Sequence, residues 1–203
     1  MKRPIEEHAA RFSQVASEYD EEQDSDEYAA CASLVIEAAD PGPEETVLDL
    51  GTGTGTIALA LATEAGSVIG RDISEGMLAE ARSKADSGGH ENVSFGEGRF
   101  REPQVDEPVD VVVTNFAMHH LSDAEKREAI EGITGLEPRR FVLGDLMLSA
   151  PVVEGEERYA PAVDDPATVG VLVDALTDAG FAVTASELIG DQFGVIVADR
   201  LDR

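Results

Sequence analysis

The chain has one cysteine, Cys31, and three lysines, Lys2, Lys84 and Lys126. A lone cysteine cannot close an intramolecular disulfide, and it makes a cysteine zinc cluster implausible. No apolar run approaches the roughly 18 residues that a membrane-spanning helix requires. The start of the chain, Met1-Lys2-Arg3-Pro4 followed by Glu6-Glu7-His8, has no apolar stretch of the kind a secretory signal needs. These absences point to a cytoplasmic protein with no membrane partner. Basic, aromatic-interleaved patches are missing as well, so nothing marks an RNA-binding face, and Arg139-Arg140 is too short to count.

The scarcity of lysine belongs to a wider imbalance. Forty-two acids face fifteen bases, for a formal net charge of −27. The acids are spread along the whole chain instead of being gathered in a tail, which is the pattern of a solvated surface. Such a surface suits a high-salt cytoplasm, where the Debye length falls to about 3 Å at 1 M salt and self-repulsion is screened. The chain reads as that of a halophile. Its net charge gives no long-range attraction to nucleic-acid phosphates.

With 203 residues, 42% of them hydrophobic, the chain is long enough for one domain with a substantial core. From residue 46 onward, strand-like and helix-like segments alternate. Val47–Leu50, Ser67–Arg71, Val93–Phe95, Val109–Thr114 and Phe141–Gly144 are short apolar or β-branched runs of the type buried in parallel sheets. Helices are expected over 57–64, over 75–88 behind an N-cap at Ser74, and from the capping box Ser122-Asp123-Ala124-Glu125 to Gly135. Another is expected over 169–179. Phe181–Ile189 and Phe193–Ala198, joined by Gly190-Asp191-Gln192, form a terminal strand pair with no helix between them. The expected fold is α/β: a Rossmann-like, doubly wound, seven-stranded and mostly parallel sheet with one antiparallel strand near the C-terminus. Residues 1–40 are expected to form an N-terminal helical cap and 41–203 the core, together one domain. Residues 150–166, rich in proline and acid, read as a loop.

The most specific stretch is Val47-Leu48-Asp49-Leu50-Gly51-Thr52-Gly53-Thr54-Gly55. It describes a strand that breaks into a glycine turn and then opens a helix. Asp72, at the end of the next strand, is placed to accept hydrogen bonds from two ribose hydroxyls. A dinucleotide fingerprint would need glycine at position 56, where Thr56 stands.

In this order and spacing, the chain resembles the class I S-adenosylmethionine-dependent methyltransferases, particularly the small type 11 and type 25 members. Val47–Gly55 is similar to the family's first motif, whose glycine turn passes the methionine part of the cofactor. The resemblance implies cofactor-binding roles for Asp49, Gly51, Thr52, Gly53 and Gly55, and for Asp72 with Ile73 at the ribose. Gly98-Arg99-Phe100 sits where the family recognises adenine. There Arg99 replaces the usual acid, and arginine cannot accept a hydrogen bond from the adenine amino group. Asn115-Phe116-Ala117-Met118-His119-His120-Leu121 is similar to the fourth-strand motif that lines the methyl-donor pocket. Tyr19-Asp20 echoes a tyrosine–aspartate pair on the covering helix. His119 and His120 are candidate general bases, with nothing to choose between them. No metal ligands are expected.

The fourth-strand motif lacks the Asn/Asp-Pro-Pro-Tyr/Phe signature of exocyclic-amine methylases, and Cys31 lies outside it, which argues against covalent attack at pyrimidine C5. A small-molecule acceptor, shaped in part by residues 150–166, is therefore the expected partner, and S-adenosylhomocysteine the product. The alternatives are a non-catalytic cofactor-binding or regulatory module and a methyltransferase acting on RNA or protein. A nicotinamide oxidoreductase is disfavoured by Thr56 and by the lack of a Tyr-x-x-x-Lys pair.

Overall fold

Strands that are apolar at every position must be covered on both faces, and the alternating elements of this chain supply the covers. The computed structural model describes residues 4–23, 25–150, 159–160 and 163–201. Three helices come first: α1 (Ile5–Val15), α2 (Tyr19–Glu22) and α3 (Asp26–Ala39). They are followed by β1 (Thr46–Leu50), α4 (Thr56–Leu61), β2 (Ser67–Asp72), α5 (Glu75–Gly88), β3 (Val93–Glu97) and β4 (Val111–Asn115). A short 3-10 turn (Met118–His120) leads into α6 (Asp123–Gly135) and β5 (Arg140–Leu148). Then come β6 (Ala167–Thr168), α7 (Val169–Asp178), β7 (Phe181–Ile189) and β8 (Phe193–Arg200).

The sheet runs in the order β3-β2-β1-β4-β5-β8-β7, with β6 paired beside β5. β1 lies parallel to β2 and β4, β2 to β3, and β4 to β5. β8 is antiparallel to both of its neighbours. The mostly parallel sheet with one antiparallel strand is thus present, with two additions. The antiparallel strand lies second from the edge, because the hairpin folds β7 to its outer side. The two-residue β6 is an eighth strand, too short for any periodic signal. β5 also runs past its expected end at Gly144, because β8 pairs with it from Arg140 as far as Leu146.

Alternation along the strands divides the core between the two faces. Leu48, Val112, Phe141, Leu143 and Ile196 point into one cluster, with Ile130 and Ile133 of α6 and Leu172 and Leu176 of α7. Val47, Val111, Val113, Val142 and Val195 point into the other, with Cys31 and Val35 of α3 and Ile57 and Leu61 of α4. Each large side chain so buried stabilises the fold by about 1.5–3 kcal/mol. Residue 40 is therefore not a packing boundary. Cys31, Val35 and Ala39 are fully buried, and α3 covers the sheet as α4 does. Only α1 and α2 behave as a cap. Ser13 Oγ of α1 lies 2.9 Å from Ser74 Oγ, the N-cap of α5. Asp20 of α2 accepts from Thr54 Oγ1 at 2.5 Å and from Lys84 Nζ at 2.7 Å.

Candidate active site

β1 ends at Leu50, and the chain turns through Gly51 (φ +73°), Gly53 (φ +54°) and Gly55 (φ +84°). Positive φ is costly for any residue with a Cβ. Gly51 has a second constraint, since a Cβ there would lie 2.5 Å from the Cβ of Ala117. At Gly53 a Cβ would meet nothing within 4 Å, so the backbone is bare on that side. The amides of Gly51 and Thr52 both donate to the Arg71 carbonyl, at 2.8 and 3.0 Å. Asp72 holds the next position: its Oδ2 accepts from Gly53 N and its Oδ1 from Ser74 N, each at 2.9 Å. Asp72 therefore braces the loop, with the Ile73 amide as a further donor, and its carboxylate retains acceptor capacity.

Above this loop lies a cavity of about 460 Å³, roofed by α1 and α2. That is within the usual range for small-molecule and cofactor pockets. Tyr19, Asp49, Gly51, Thr52, Gly53, Asp72, Ile73, Gly98, Arg99, Phe100, Asn115 and Phe116 all line it, as does His120. Two expected residues do not. Gly55 is the N-cap of α4, where a Cβ would press on Phe95 and Ala81. His119 is turned away, behind His120. Arg99 is exposed at the rim, in a tight turn where its amide and carbonyl pair with those of Glu102 at 3.0 Å each. Glu97, the nearest acid, is exposed and outside the cavity lining.

Several lining residues lie outside the sequence motifs. Tyr28 stacks on Phe116 with ring centroids 4.9 Å apart and planes 22° from parallel. Phe12 and His8 of α1 complete the wall beside His120, with centroid distances to it of 5.5 and 5.4 Å. Aromatic residues at helical spacing in the first 30 residues were the only available hint. Of the loop expected to shape the pocket, residues 151–158 and 161–162 lie outside the described ones. Asp164, within it, reaches the back of the site but does not line the cavity.

Asp49 sits at the cavity floor, 1% exposed, and accepts from Thr52 Oγ1 at 2.7 Å. Burial raises its pKa to about 7, the Thr52 hydroxyl opposes the rise, and the Asp72 charge adds to it. Burial, with Asp72 next, also pushes the Tyr19 phenol up to about 12. Such a carboxylate favours a cation beside it. The Asn115 carboxamide shares the wall; its Oδ1 lies 3.3 Å from Cys31 Sγ, while its buried Nδ2 has no hydrogen-bond partner among the described residues. Cys31 itself is buried on the sheet-facing side of α3, with its pKa raised to about 12 chiefly by burial, so it is neither exposed nor ionised near neutral pH.

The two histidines have different surroundings. Asp145 accepts from the His119 amide through Oδ2 at 2.9 Å, and its Oδ1 lies 2.5 Å from His119 Nδ1. Burial disfavours charge on this ring, but Asp145 and then Asp164 outweigh it and hold its pKa above the usual histidine value. His120 faces the cavity, and its Nδ1 lies 3.3 Å from Asp164 Oδ1.

Comparison with known proteins agrees with this geometry. Residues 47–136, from the glycine loop through α6, match the methyltransferase domain family. The chain is 33% identical over 148 residues to an arsenite methyltransferase of Halobacterium salinarum, covering 68% of this chain and 38% of that protein. It is 32% identical over 140 residues to YcgJ, an uncharacterized methyltransferase of Bacillus subtilis, covering 67% of this chain and 54% of that one. The chain thus spans about half the length, or less, of these two relatives. The crystal structure of YcgJ superimposes with a TM-score of 0.70 at 20% identity, covering 86% of this chain and 100% of that one. Magnesium protoporphyrin IX methyltransferase of Synechocystis, with bound S-adenosylmethionine, superimposes at 0.64 and 24% identity, covering 85% of this chain and 77% of that one. From the glycine loop, the acid after β2 and the matched region together, residues 47–136 of this chain form a methyltransferase domain.

Proposed function

We propose that this chain transfers the methyl group of S-adenosylmethionine to a small-molecule acceptor in a cytoplasm rich in salt. The observation that carries the reading is a cavity whose floor is the glycine loop with Asp49 and Asp72, and whose wall holds the Asn115–Phe116 motif. When bound, the cofactor supplies an activated methyl on a sulfonium, so that attack forms the new bond while the C–S pair returns to sulfur. The protein's share is alignment, which can contribute ~7–11 kcal/mol in well-oriented systems.

Asp72 retains acceptor capacity for ribose hydroxyls, and Gly53 leaves room for close approach. Asp49 provides a buried negative charge suited to the cationic end of the cofactor. The stacked Tyr28–Phe116 pair and Tyr19 exclude water, and their ring faces suit a sulfonium. His120, on the cavity wall, is placed to take the acceptor's proton where the acceptor is protonated; His119 is a positioning residue behind it. A small acceptor is favoured by the α1 roof over the cavity and by the lack of a basic, aromatic-interleaved run in the sequence. The Halobacterium salinarum relative acts on arsenite and the Synechocystis protein on magnesium protoporphyrin IX, both small acceptors.

The test is calorimetry on the purified chain in molar KCl. S-adenosylmethionine and S-adenosylhomocysteine should bind with unit stoichiometry and NAD should not. Absence of binding by both sulfur nucleotides overturns the reading. Binding without methyl incorporation into any small molecule of a cell extract would favour the regulatory-module alternative.

A further inference from the structure

We propose that His119, His120 and Asp164 form a site for one divalent transition-metal ion of the zinc type behind the His120 wall of the cavity. Three ligand atoms converge there. Asp164 Oδ1 lies 3.3 Å from His120 Nδ1 and 3.7 Å from His119 Nε2, and all three atoms lie within 4.8 Å of one another. Ligands about 2.1 Å from a tetrahedral zinc ion are about 3.4 Å apart, so an ion fits between them with little movement. Two imidazoles and one carboxylate suit zinc-like ions better than magnesium or calcium, which prefer oxygen alone.

The surroundings hold this arrangement in place. Asp145 engages His119 Nδ1 at 2.5 Å, which directs the Nε2 lone pair toward Asp164. A carboxylate behind a ligating histidine is the usual outer-shell partner of a bound metal. Asp164 is fixed from its other oxygen, Oδ2, which accepts from Ala160 N at 3.1 Å. The adjoining amide of Asp165 donates to the His119 carbonyl at 2.6 Å. Oδ1 is thereby left to face both rings. Of the three ligands only His120 also lines the cavity, so the site lies behind the cavity wall. The metal site stands on these contacts alone. Its use, to fix the His120 ring on the cavity wall, rests on the methyl-transfer reading; a ring bound through Nδ1 carries its proton on Nε2 and then orients the acceptor instead of deprotonating it.

The experiment is a Co2+ titration of the full chain, stripped with EDTA and dialysed into molar KCl, followed by visible absorption. One equivalent should bind, with the strong d–d bands of a four- or five-coordinate site containing nitrogen, and Zn2+ should displace it. Asp164→Asn and His120→Gln, tested separately so that misfolding of one leaves the other informative, should each weaken binding at least about 100-fold. Asp145→Asn should weaken it about 10–100-fold, as outer-shell changes do. Asp72→Ala, which removes the proposed ribose contact, should leave Co2+ binding intact. A weak octahedral spectrum without saturation, or binding undiminished in both ligand variants, would mean ions scattered over the acidic surface and would overturn the site. S-adenosylhomocysteine calorimetry on the same samples separates the two claims. Nucleotide binding without Co2+ binding sinks only the metal, and the reverse sinks only the methyl-donor reading.

Discussion

Replacement of Asp49 by asparagine should stabilise the protein while weakening its hold on the cofactor. The carboxyl has a pKa of 3.8 in an unfolded reference and about 7 in the native chain, with burial as the chief cause. Between those values the native state holds a proton that the unfolded state has lost. Stability therefore falls as pH rises through this window, and the whole loss is present above neutral pH. Each pKa unit corresponds to ~1.4 kcal/mol, so ionised Asp49 costs the native state about 4 kcal/mol at pH 8. Asparagine keeps an acceptor for Thr52 Oγ1 but introduces a buried amide, which costs about 1–3 kcal/mol if left unpaired. The net gain at pH 8 is about 1–3 kcal/mol, or roughly 3–10 °C in Tm for a chain of this length. At pH 5, where native Asp49 is protonated, most of the gain should vanish. Thermal melts of both proteins in molar KCl from pH 5 to 8 measure this difference directly, since every other carboxylate is common to both. A gap that is the same at pH 5 and pH 8, or a variant less stable at pH 8, refutes the account of Asp49. The same variant should bind S-adenosylhomocysteine about 10–100-fold more weakly, the consequence of losing a charged partner worth ~1.5–3 kcal/mol.

Gly51→Ala should lose about 2–4 kcal/mol, from positive φ and from the clash at 2.5 Å with the Ala117 Cβ. The double variant with Ala117→Gly should recover the packing part in thermal melts but not the backbone part. Asp72→Ala should weaken S-adenosylhomocysteine binding more than His120→Ala in calorimetry, because it removes both a ribose acceptor and the brace on Gly53 N; the opposite ranking would misplace the ribose site. Cys31 should resist a thiol reagent in the native state and react only at the rate of unfolding, since the thiol is buried with a pKa near 12. Rapid native labelling would show that α3 opens independently of the sheet.

Much of this was legible in the sequence because it is local. The alternation that sends Leu48 to one face and Val47 to the other is a property of neighbouring residues, and so is the helix start at Ser122, whose capping box forms as expected. The glycine turn is local too, since positive φ at Gly51 and Gly53 is a demand of the backbone itself. Gly55 shows the limit of that argument. Its φ of +84° serves the start of α4, and only its surroundings, Phe95 and Ala81, tell it apart from the glycines that face the cavity. Likewise the helical character of residues 26–39 was readable, but whether α3 covers a ligand or the sheet depended on what met Cys31 and Val35.

By itself, then, the sequence determined the order of the main elements, the parallel sheet, the glycine loop and the acid beyond it, because periodicity and backbone conformation act over a few residues. The tertiary structure alone decided which of two adjacent histidines faces the cavity. It also brought Tyr28 onto Phe116, and set Asp145 and Asp164 on either side of His119. Those relations join residues far apart in the chain, and their energies depend on burial and on distances of about 3 Å that no local pattern encodes.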